Sequence, residues 1–87
     1  MYAVELSQHA QKFLDKLDKP IRDRVETRLR ALGTNPVPSD AKFISREDSD
    51  KVFRCRIGDY RALYRIKEND KIVLIAKIDT RPRIYDR

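Results

Sequence analysis

The sequence predicts an α+β domain in which a two-helix hairpin packs on one face of a mainly antiparallel sheet of four or five strands. Two apolar stripes at helical spacing in the first third of the chain, and a series of strand-like segments in the rest, support this fold class. The 87 residues suffice for one domain, residues 1–87, with a small and regular core.

The N-terminal third is expected to form a strand followed by the helical hairpin. The segment 2-YAVEL-6 alternates as a short strand does, and Ser7 is a favourable N-cap for the helix after it. That first helix is predicted over residues 8–17. Pro20 suits the first turn of a second helix, and Gly33 is expected to end it.

The rest of the chain is predicted to form the sheet. A proline-containing loop at 34–40 leads into strands at 41–45, 52–57, 60–67 and 71–79. The polar stretch 46–50 is expected to be a turn, Gly58-Asp59 a two-residue hairpin turn, and 68–70 a slightly longer turn. The run 72-IVLIAKI-78 is almost continuously apolar and is typical of an inner strand.

Composition excludes several classes of protein. No apolar run approaches the length of a membrane span, and no secretory signal pattern is present, so we expect an unprocessed cytoplasmic protein without membrane contact. Cys55 is the only cysteine and His9 the only histidine. We therefore expect a buried Cys55, a surface His9 near a helix start, and neither metal nor cofactor.

Positive charge is concentrated in the C-terminal part of the chain. The first 50 residues carry nine basic and nine acidic side chains, so the whole net charge of +6 comes from residues 51–87. Such a concentrated excess favours a polyanion or an acidic protein as the partner.

The segment 52-VFRCRIGDYRALYRI-66 is expected to be a hairpin with two chemically different faces. If Gly58-Asp59 is the turn, Arg56 lies opposite Arg61. Alternation then gives one face to residues that the helices cover and the other to four arginines. The covered face holds Phe53, Cys55, Ile57, Tyr60, Ala62, Tyr64 and Ile66, and the open face holds Val52, Arg54, Arg56, Arg61, Leu63 and Arg65.

The arginines on the open face have two interpretations. Most charged strand faces are simply solvated, but like charges directly opposite each other destabilise a sheet by up to about 1 kcal/mol. Arg54 and Arg56 are about 6.6 Å apart along the strand, close to the separation of neighbouring phosphates on a single strand. Arginine binds phosphate bidentately and stacks on bases, so we favour a phosphate-binding face.

The C-terminal segment 79-DTRPRIYDR-87 adds basic and aromatic residues. Arg81 and Arg83 can extend the basic face, and Tyr85 beside it is typical of a platform for a stacked RNA base. Packing of Tyr85 on the sheet edge is the alternative.

The chain resembles the RelE/ParE superfamily of type II toxins, and its RelE branch in particular. The resemblance covers essentially the whole chain and is carried by 53-FRCRIGDYRALY-64, by the apolar strand after it, and by the arginine-rich end in 83-RIY-85. It implies a ribosome-dependent endoribonuclease that cuts mRNA in the decoding site without a metal ion. In that reaction the ribose 2′-OH attacks the adjacent phosphate and leaves a 2′,3′-cyclic phosphate.

The resemblance also implies which residues form the site. Arg54 and Arg56 fall at two basic positions of the family, Arg61 at the arginine that clamps the scissile phosphate, Arg81 at the last strand's end, and Tyr85 at the stacking tyrosine. We expect further RNA contacts from Lys42, Lys51, Arg65 and Arg83.

The chain departs from the family pattern in two ways. Lysines often stand where this chain has Arg54 and Arg56, and arginine cannot serve as a general base because it stays protonated. Tyr85, Lys42 and Lys51 are candidates for the base, and none is favoured. A C-terminal helix of some relatives is expected to be absent.

Two other functions stay open, and a partner is implied. A ParE-like protein would poison DNA gyrase by protein contact, and a degenerate relative would bind RNA without cutting it. The resemblance implies a RelB-like antitoxin that forms a heterotetramer with the toxin and represses their operon. An acidic, partly disordered antitoxin segment is expected to cover the basic face.

Overall fold

The computed structural model describes residues 1–80 and shows two helices and five strands. In chain order the elements are β1 (Ala3–Leu6), α1 (Gln8–Asp15), α2 (Lys19–Ala31), β2 (Lys42–Glu47), β3 (Asp50–Ile57), β4 (Tyr60–Lys67) and β5 (Ile72–Thr80). The predicted order of elements is confirmed. α1 ends at Asp15, two residues before the predicted end, and α2 begins at Lys19 with Pro20 in its first turn as expected.

The five strands form one mixed sheet in the order β1-β5-β4-β3-β2. β2, β3, β4 and β5 are joined by antiparallel hairpins, whereas β1 runs parallel to β5. The two helices carry the chain from β1 to β2 at the opposite edge of the sheet, and the three hairpins then return it to β5 beside β1. β1 and β2 are therefore the two edges, and the hairpin of β3 and β4 lies towards the middle.

The core lies between the helices and one face of the sheet. Leu14 on α1 and Val25 and Leu29 on α2 are fully buried against the sheet. The helix-facing side of the hairpin is buried as predicted, with Cys55 and Ala62 at its centre. In the described part of the chain, the hydrophobic core comprises Ala10, Leu14, Val25, Leu29, Leu32, Phe53, Cys55, Ile57, Ala62, Tyr64, Ile66, Val73, Ile75 and Ile78.

Ser7 connects the first helix to the sheet. Its hydroxyl accepts a hydrogen bond from Ala10 N at 3.1 Å, which caps the helix as expected, and donates one to Ala76 O at 2.7 Å. Ala76 lies where the β4–β5 register shifts between Leu63 and Tyr64. One side chain therefore fixes both the helix start and an irregularity of β5.

Two sequence-based expectations about turns change in detail. The turn between β2 and β3 is narrower than residues 46–50, because β2 continues to Glu47 and β3 begins at Asp50. Asp48 and Ser49 make this turn with positive φ angles of 51° and 75°. Gly33 lies beyond the end of α2, where a Cβ would come within 2.6 Å of Tyr2 O, so its role includes the close approach of β1.

Neither helix within residues 1–80 has the length and apolar character needed to cross a membrane.

Candidate functional site

The open face of the sheet is the face turned away from the helices. The predicted hairpin register is confirmed: Arg56 pairs with Arg61, Arg54 with Leu63, and Ile57 with Tyr60. Gly58 makes the tight turn with φ of 60°, and a Cβ there would meet nothing within 4 Å. Glycine is therefore favoured at position 58 because of its positive φ angle, and not because a larger side chain would clash.

A row of residues crosses the open face from edge strand β2 to β5. Lys42 pairs with Arg54, Arg54 with Leu63, and Leu63 with Lys77. Directly paired residues point to the same side of a sheet, so three cations from three strands surround Leu63. Strands are about 4.8 Å apart, which makes the row about 14 Å long.

The next row, nearer the Gly58 turn, adds two arginines and one acid. Arg56 pairs with Arg61, and Arg61 pairs with Asp79 on β5. The two rows together place five cations on adjacent strands beside a single carboxylate. We call this surface the basic end: Lys42, Arg54, Arg56, Arg61 and Lys77.

Arg56 is the arginine of the basic end that reaches furthest into solvent. It is exposed, whereas Arg54 is half-buried. Within residues 1–80 the Arg56 guanidinium makes no ion pair, and the backbone carbonyl of Arg56 accepts a hydrogen bond from Arg28. A guanidinium that is accessible and not paired with a carboxylate retains its full capacity to bind phosphate.

Arg61 does not lie in solvent as the open-face assignment suggested. Only 1% of the residue is exposed, and its Nη1 donates to Tyr60 O at 3.2 Å. The register placed Arg61 on the correct side of the sheet, but alternation carries no information about what covers that side. Arg61 reaches a bound phosphate only if the groups over it move.

The opposite end of the open face is an ion-pair cluster around Arg65. Arg65 Nη2 lies 2.8 Å from Asp50 Oδ2, and Arg65 is also within 3.6 Å of Glu47 and 3.7 Å of Asp48. Lys67 Nζ lies 3.4 Å from the same Asp50 oxygen. We call this surface the paired end: Glu47, Asp48, Asp50, Arg65 and Lys67.

Within the paired end, the neighbouring cations change the pKa of the Asp50 carboxyl. The hydrogen bond from Arg65 lowers the pKa of the Asp50 carboxyl below its usual value, and Lys67 acts in the same direction. The charge of Arg65 is thus already balanced inside the protein. Acids therefore share the open face with the arginines, Asp50 at the start of β3 and Asp79 on β5.

The remaining predicted site residues fall outside the basic end. Lys51 pairs with Ile66, so it points to the helix side of the sheet and does not join Arg54 and Arg56. Arg81, Arg83 and Tyr85 lie outside the described residues. Of the predicted residues within residues 1–80, the structure brings together Lys42, Arg54, Arg56 and Arg61.

Sequence reasoning missed two residues of this surface, Lys77 and Asp79. Both belong to the strand that was interpreted as an apolar inner strand. The register shift between Leu63 and Tyr64 determines which β4 residues these two face. The alternation of Lys77, buried Ile78 and Asp79 was the available signal, because it puts both charges on the side away from the helices.

The buried groups beneath the face are structural. Cys55 is 2% exposed, and burial raises the pKa of its thiol to about 11. Burial likewise raises the pKa of Tyr64, whose hydroxyl donates to Pro36 O at 2.6 Å. No group of three or more histidine, cysteine or acidic side chains in residues 1–80 is arranged to hold a metal ion.

The cavity beside the hairpin turn lies on the other side of the sheet. It has a volume of about 220 Å³ and is bordered by Arg24 and Arg28 of α2 and by Ile57, Gly58 and Tyr60 of the hairpin. Ile57 and Tyr60 belong to the helix-facing side, so this cavity is separate from the basic end.

Comparison with known protein families shows the family to which the chain belongs. Residues 4–85 match the profile of the ParE toxin of the type II toxin–antitoxin system parDE. The chain belongs to the RelE/ParE family of type II toxins. The suspected resemblance and the RelE-like α+β fold are thereby confirmed.

Individual relatives carry the RelE name. The chain is 33% identical over 85 residues to the protein named RelE1 of Methanocaldococcus jannaschii, covering 97% of this chain and 94% of that protein. The archaeal RelE–RelB complex from Pyrococcus horikoshii contains a chain with 29% identity and a TM-score of 0.83, covering 94% and 97% of the two chains. The toxin–antitoxin complex RelBE2 of Mycobacterium tuberculosis gives 31% identity and a TM-score of 0.76, covering 92% and 91%.

Proposed function

We propose that this toxin is a ribosome-dependent endoribonuclease that inhibits translation by cutting mRNA in the decoding site. The observation that carries the proposal is the basic end, where cations from four strands lie on one surface of the sheet. The similarity to proteins named RelE, at 29% to 33% identity over nearly the whole chain, supports the same branch.

The proposed chemistry is an internal transfer within the RNA. The 2′-oxygen attacks the adjacent phosphorus, the bond to the 5′-oxygen breaks, and a 2′,3′-cyclic phosphate and a 5′-hydroxyl result. The pentavalent transition state gains negative charge on its equatorial oxygens, which fixed guanidinium groups stabilise. Positioning the 2′-oxygen in line with the leaving oxygen supplies the rest of the protein's contribution.

We assign the charge-stabilising role first to Arg56 and Arg54, because their separation along β3 is about 6.6 Å and Arg56 is open to solvent. Lys42 is proposed as a further RNA contact on the same row. Arg61 supports the site from a buried position. Arg81 and Tyr85 remain proposed site residues by family resemblance, with Arg83 as an RNA contact.

We propose that Arg65 contributes little to RNA binding, which changes the role expected from the sequence. A phosphate approaching Arg65 would compete with Asp50, which already lies 2.8 Å from the guanidinium. Lys51 is also left out of the proposed RNA surface, because it lies on the helix side of the sheet.

A RelB-like antitoxin is the proposed partner, in a heterotetramer that represses its own operon. The solved relatives from P. horikoshii and M. tuberculosis are toxin–antitoxin complexes. An acidic segment of the antitoxin that covers the basic end would block RNA directly. A complex in which Arg54 and Arg56 stayed open, with the sheet undistorted, would contradict direct blocking.

A ParE-like action on DNA gyrase is the second candidate, because the matching family profile is that of the ParE toxin. In that case the basic end would be a docking surface for a protein. The two candidates differ in target, so one set of reactions separates them.

The test is cleavage of mRNA on programmed ribosomes, with the 5′ ends mapped. Wild type is compared with Arg56→Ala, Arg61→Ala and Tyr85→Ala, beside reactions with naked mRNA and with gyrase and supercoiled DNA. Cuts confined to the decoding-site codon, and slowed by the arginine variants, are the expected result. Intact mRNA together with inhibited gyrase would overturn the proposal in favour of the ParE-like action.

A further inference from the structure

Of the base candidates named from the sequence, only Lys42 on edge strand β2 belongs to the basic end within residues 1–80, and the other predicted residues of that surface are arginines. Arginine stays protonated at any physiological pH, so Arg54, Arg56 and Arg61 can stabilise charge but cannot remove the proton of a 2′-hydroxyl. The sequence left this general base unassigned. The register of β5 brings two titratable side chains of different type to the same surface, Lys77 and Asp79.

We propose that Asp79 is the general base and Lys77 the general acid of the cleavage reaction. This inference rests on the proposed ribonuclease function and assigns the proton transfers within it. Asp79 Oδ2 takes the proton of the 2′-hydroxyl as the 2′-oxygen bonds to phosphorus. The Lys77 ammonium gives a proton to the 5′-oxygen as its bond to phosphorus breaks, and both groups return to their starting states by exchange with water.

The position of Asp79 supports the role of base. Among residues 1–80 it is the acid of the two rows that form the basic end, and it pairs directly with Arg61, whose own partner across the sheet is Arg56. Arg56 and Asp79 are therefore two strand spacings apart, about 10 Å. An extended Arg56 side chain together with the phosphate it binds can span that distance, which would bring the ribose within reach of the carboxylate.

The contacts of Asp79 leave one oxygen available. Oδ1 accepts a hydrogen bond from Thr80 N at 2.7 Å, which holds the carboxylate against its own strand. Within the described residues, Oδ2 has no hydrogen-bond partner. Asp79 is only half-buried, so solvent and substrate can reach it.

Lys77 lies two residues before Asp79 on the same side of β5. Two residues of strand span about 6.6 Å, and the lysine side chain is longer than that of aspartate. The two groups can therefore approach one phosphorus from different directions, as an in-line displacement requires. At the paired end the carboxylates are already occupied: Asp50 accepts hydrogen bonds from Arg65 and Lys67, and Glu47 and Asp48 form ion pairs with Arg65.

The first test measures single-turnover cleavage on programmed ribosomes with saturating toxin. Asp79→Asn is expected to slow the rate by about 10²-fold or more while toxin binding to ribosomes changes less than twofold. Asp79→Glu is expected to restore much of the rate. Asp70→Asn, an exposed acid in the β4–β5 turn, is the matched control and should cut at the wild-type rate.

A pH profile separates a base from a structural charge. The groups that face Asp79 are Arg61 on β4, Arg56 beyond it on β3, and Lys77 on β5. A carboxylate base accepts a proton only in its ionised form, so if Asp79 is the base the wild-type rate should decline in acid and the Asp79→Asn rate should not. Asparagine keeps an oxygen for Thr80 N, and thermal melting checks that the variant is folded.

The second test uses mRNA with sulfur in place of the 5′-bridging oxygen at the cut site. Sulfur leaves without a proton, so Lys77→Met should be slow on natural mRNA and close to wild type on the sulfur substrate. Asp79→Asn should stay slow on both. These two patterns together distinguish acid from base.

Three outcomes overturn the inference while the proposed ribonuclease function stands. If Asp79→Asn cuts at the wild-type rate, Asp79 is not the general base. If Asp79→Asn loses only affinity for the ribosome, Asp79 is a binding residue. A Lys77→Met variant that the sulfur substrate does not restore removes the acid. If wild type cuts no mRNA at all, the proposed function fails first, and the assignments of Asp79 and Lys77 fail with it.

Discussion

The two ends of the β3–β4 hairpin place arginines in opposite environments. Near the Gly58 turn, Arg56 is exposed and makes no ion pair within residues 1–80. Near the Asp48–Ser49 turn, the neighbouring strand supplies Arg65, which is surrounded by three carboxylates. The same residue type on the same face of one hairpin thus has two different surroundings. We propose that an arginine of this face binds phosphate only where neighbouring acids do not already pair with it.

The comparison has a simple physical basis. A guanidinium bound to Asp50 must give up that partner before it binds a phosphate, so any gain is reduced by the loss. Arg56 has no such partner to give up among the described residues. Counting arginines in the sequence therefore overestimates the size of the proposed phosphate-binding surface.

The largest difference between the two ends should appear in cleavage. Arg56→Ala is expected to slow single-turnover cleavage by about 10²-fold, because it removes one charge that stabilises the transition state. Arg65→Ala should change the rate only a few-fold. Rates on programmed ribosomes measure both, and similar losses from the two variants would abolish the distinction between the basic end and the paired end.

Removing the glycine from one turn of β3 and introducing a glycine into the other should change the free energy of unfolding in opposite directions. Gly58→Ala is expected to reduce the free energy of unfolding by about 1 kcal/mol, since alanine disfavours the positive φ although its Cβ has space. Ser49→Gly should raise that free energy by up to about 1 kcal/mol, because Ser49 already has φ of 75°. Urea unfolding curves check both, and equal effects in one direction would contradict the assignment of strain to these turns.

Salt dependence offers a third test. If Arg56 binds phosphate, Arg56→Ala should reduce the slope of log affinity against log salt for a single-stranded RNA by about 0.7. Between 50 and 200 mM salt this corresponds to a change of about threefold. Arg65→Ala should leave the slope unchanged. Fluorescence anisotropy with a labelled oligonucleotide provides the measurement, and a reduced slope in both variants would show that Arg65 also binds phosphate.

The smallest expected effect is the pH dependence contributed by Asp50. Its pKa is lowered in the folded protein by the hydrogen bond from Arg65, so its ionised form stabilises the fold above the unfolded pKa of about 3.9. That contribution is lost as the pH falls through the folded pKa. The stability difference between wild type and Asp50→Asn should therefore be largest near neutral pH and shrink in acid. Urea unfolding at pH 3 and pH 6 checks this, and a difference that grew in acid would contradict it.

Much of the fold was predictable because short-range rules govern it. The pair Gly58-Asp59, flanked by alternating residues, fixes the hairpin register without any knowledge of the rest of the chain. The same applies to the N-cap at Ser7, which depends only on the residues that follow it. The order of elements then leaves few ways to cover the apolar faces.

The site was less predictable because it depends on several strands at once. The shift of register between Leu63 and Tyr64 has no marker such as glycine or proline, yet it sets which residues Lys77 and Asp79 face. The ion pairs of Arg65 depend on an unusual turn at Asp48 and Ser49, neither of which is glycine. The burial of Arg61 requires knowledge of three-dimensional packing that alternation does not contain.

The single cysteine at the centre of the sheet gives the protein a built-in reporter. Cys55 is 2% exposed, and the pKa of its thiol is raised to about 11, so a thiol reagent should react with it only when β3 opens. The rate of labelling would then measure how often the strand that carries Arg54 and Arg56 separates from its neighbours. An antitoxin bound across this strand should slow the labelling, which would follow capture and release of the toxin without any attached dye or tag.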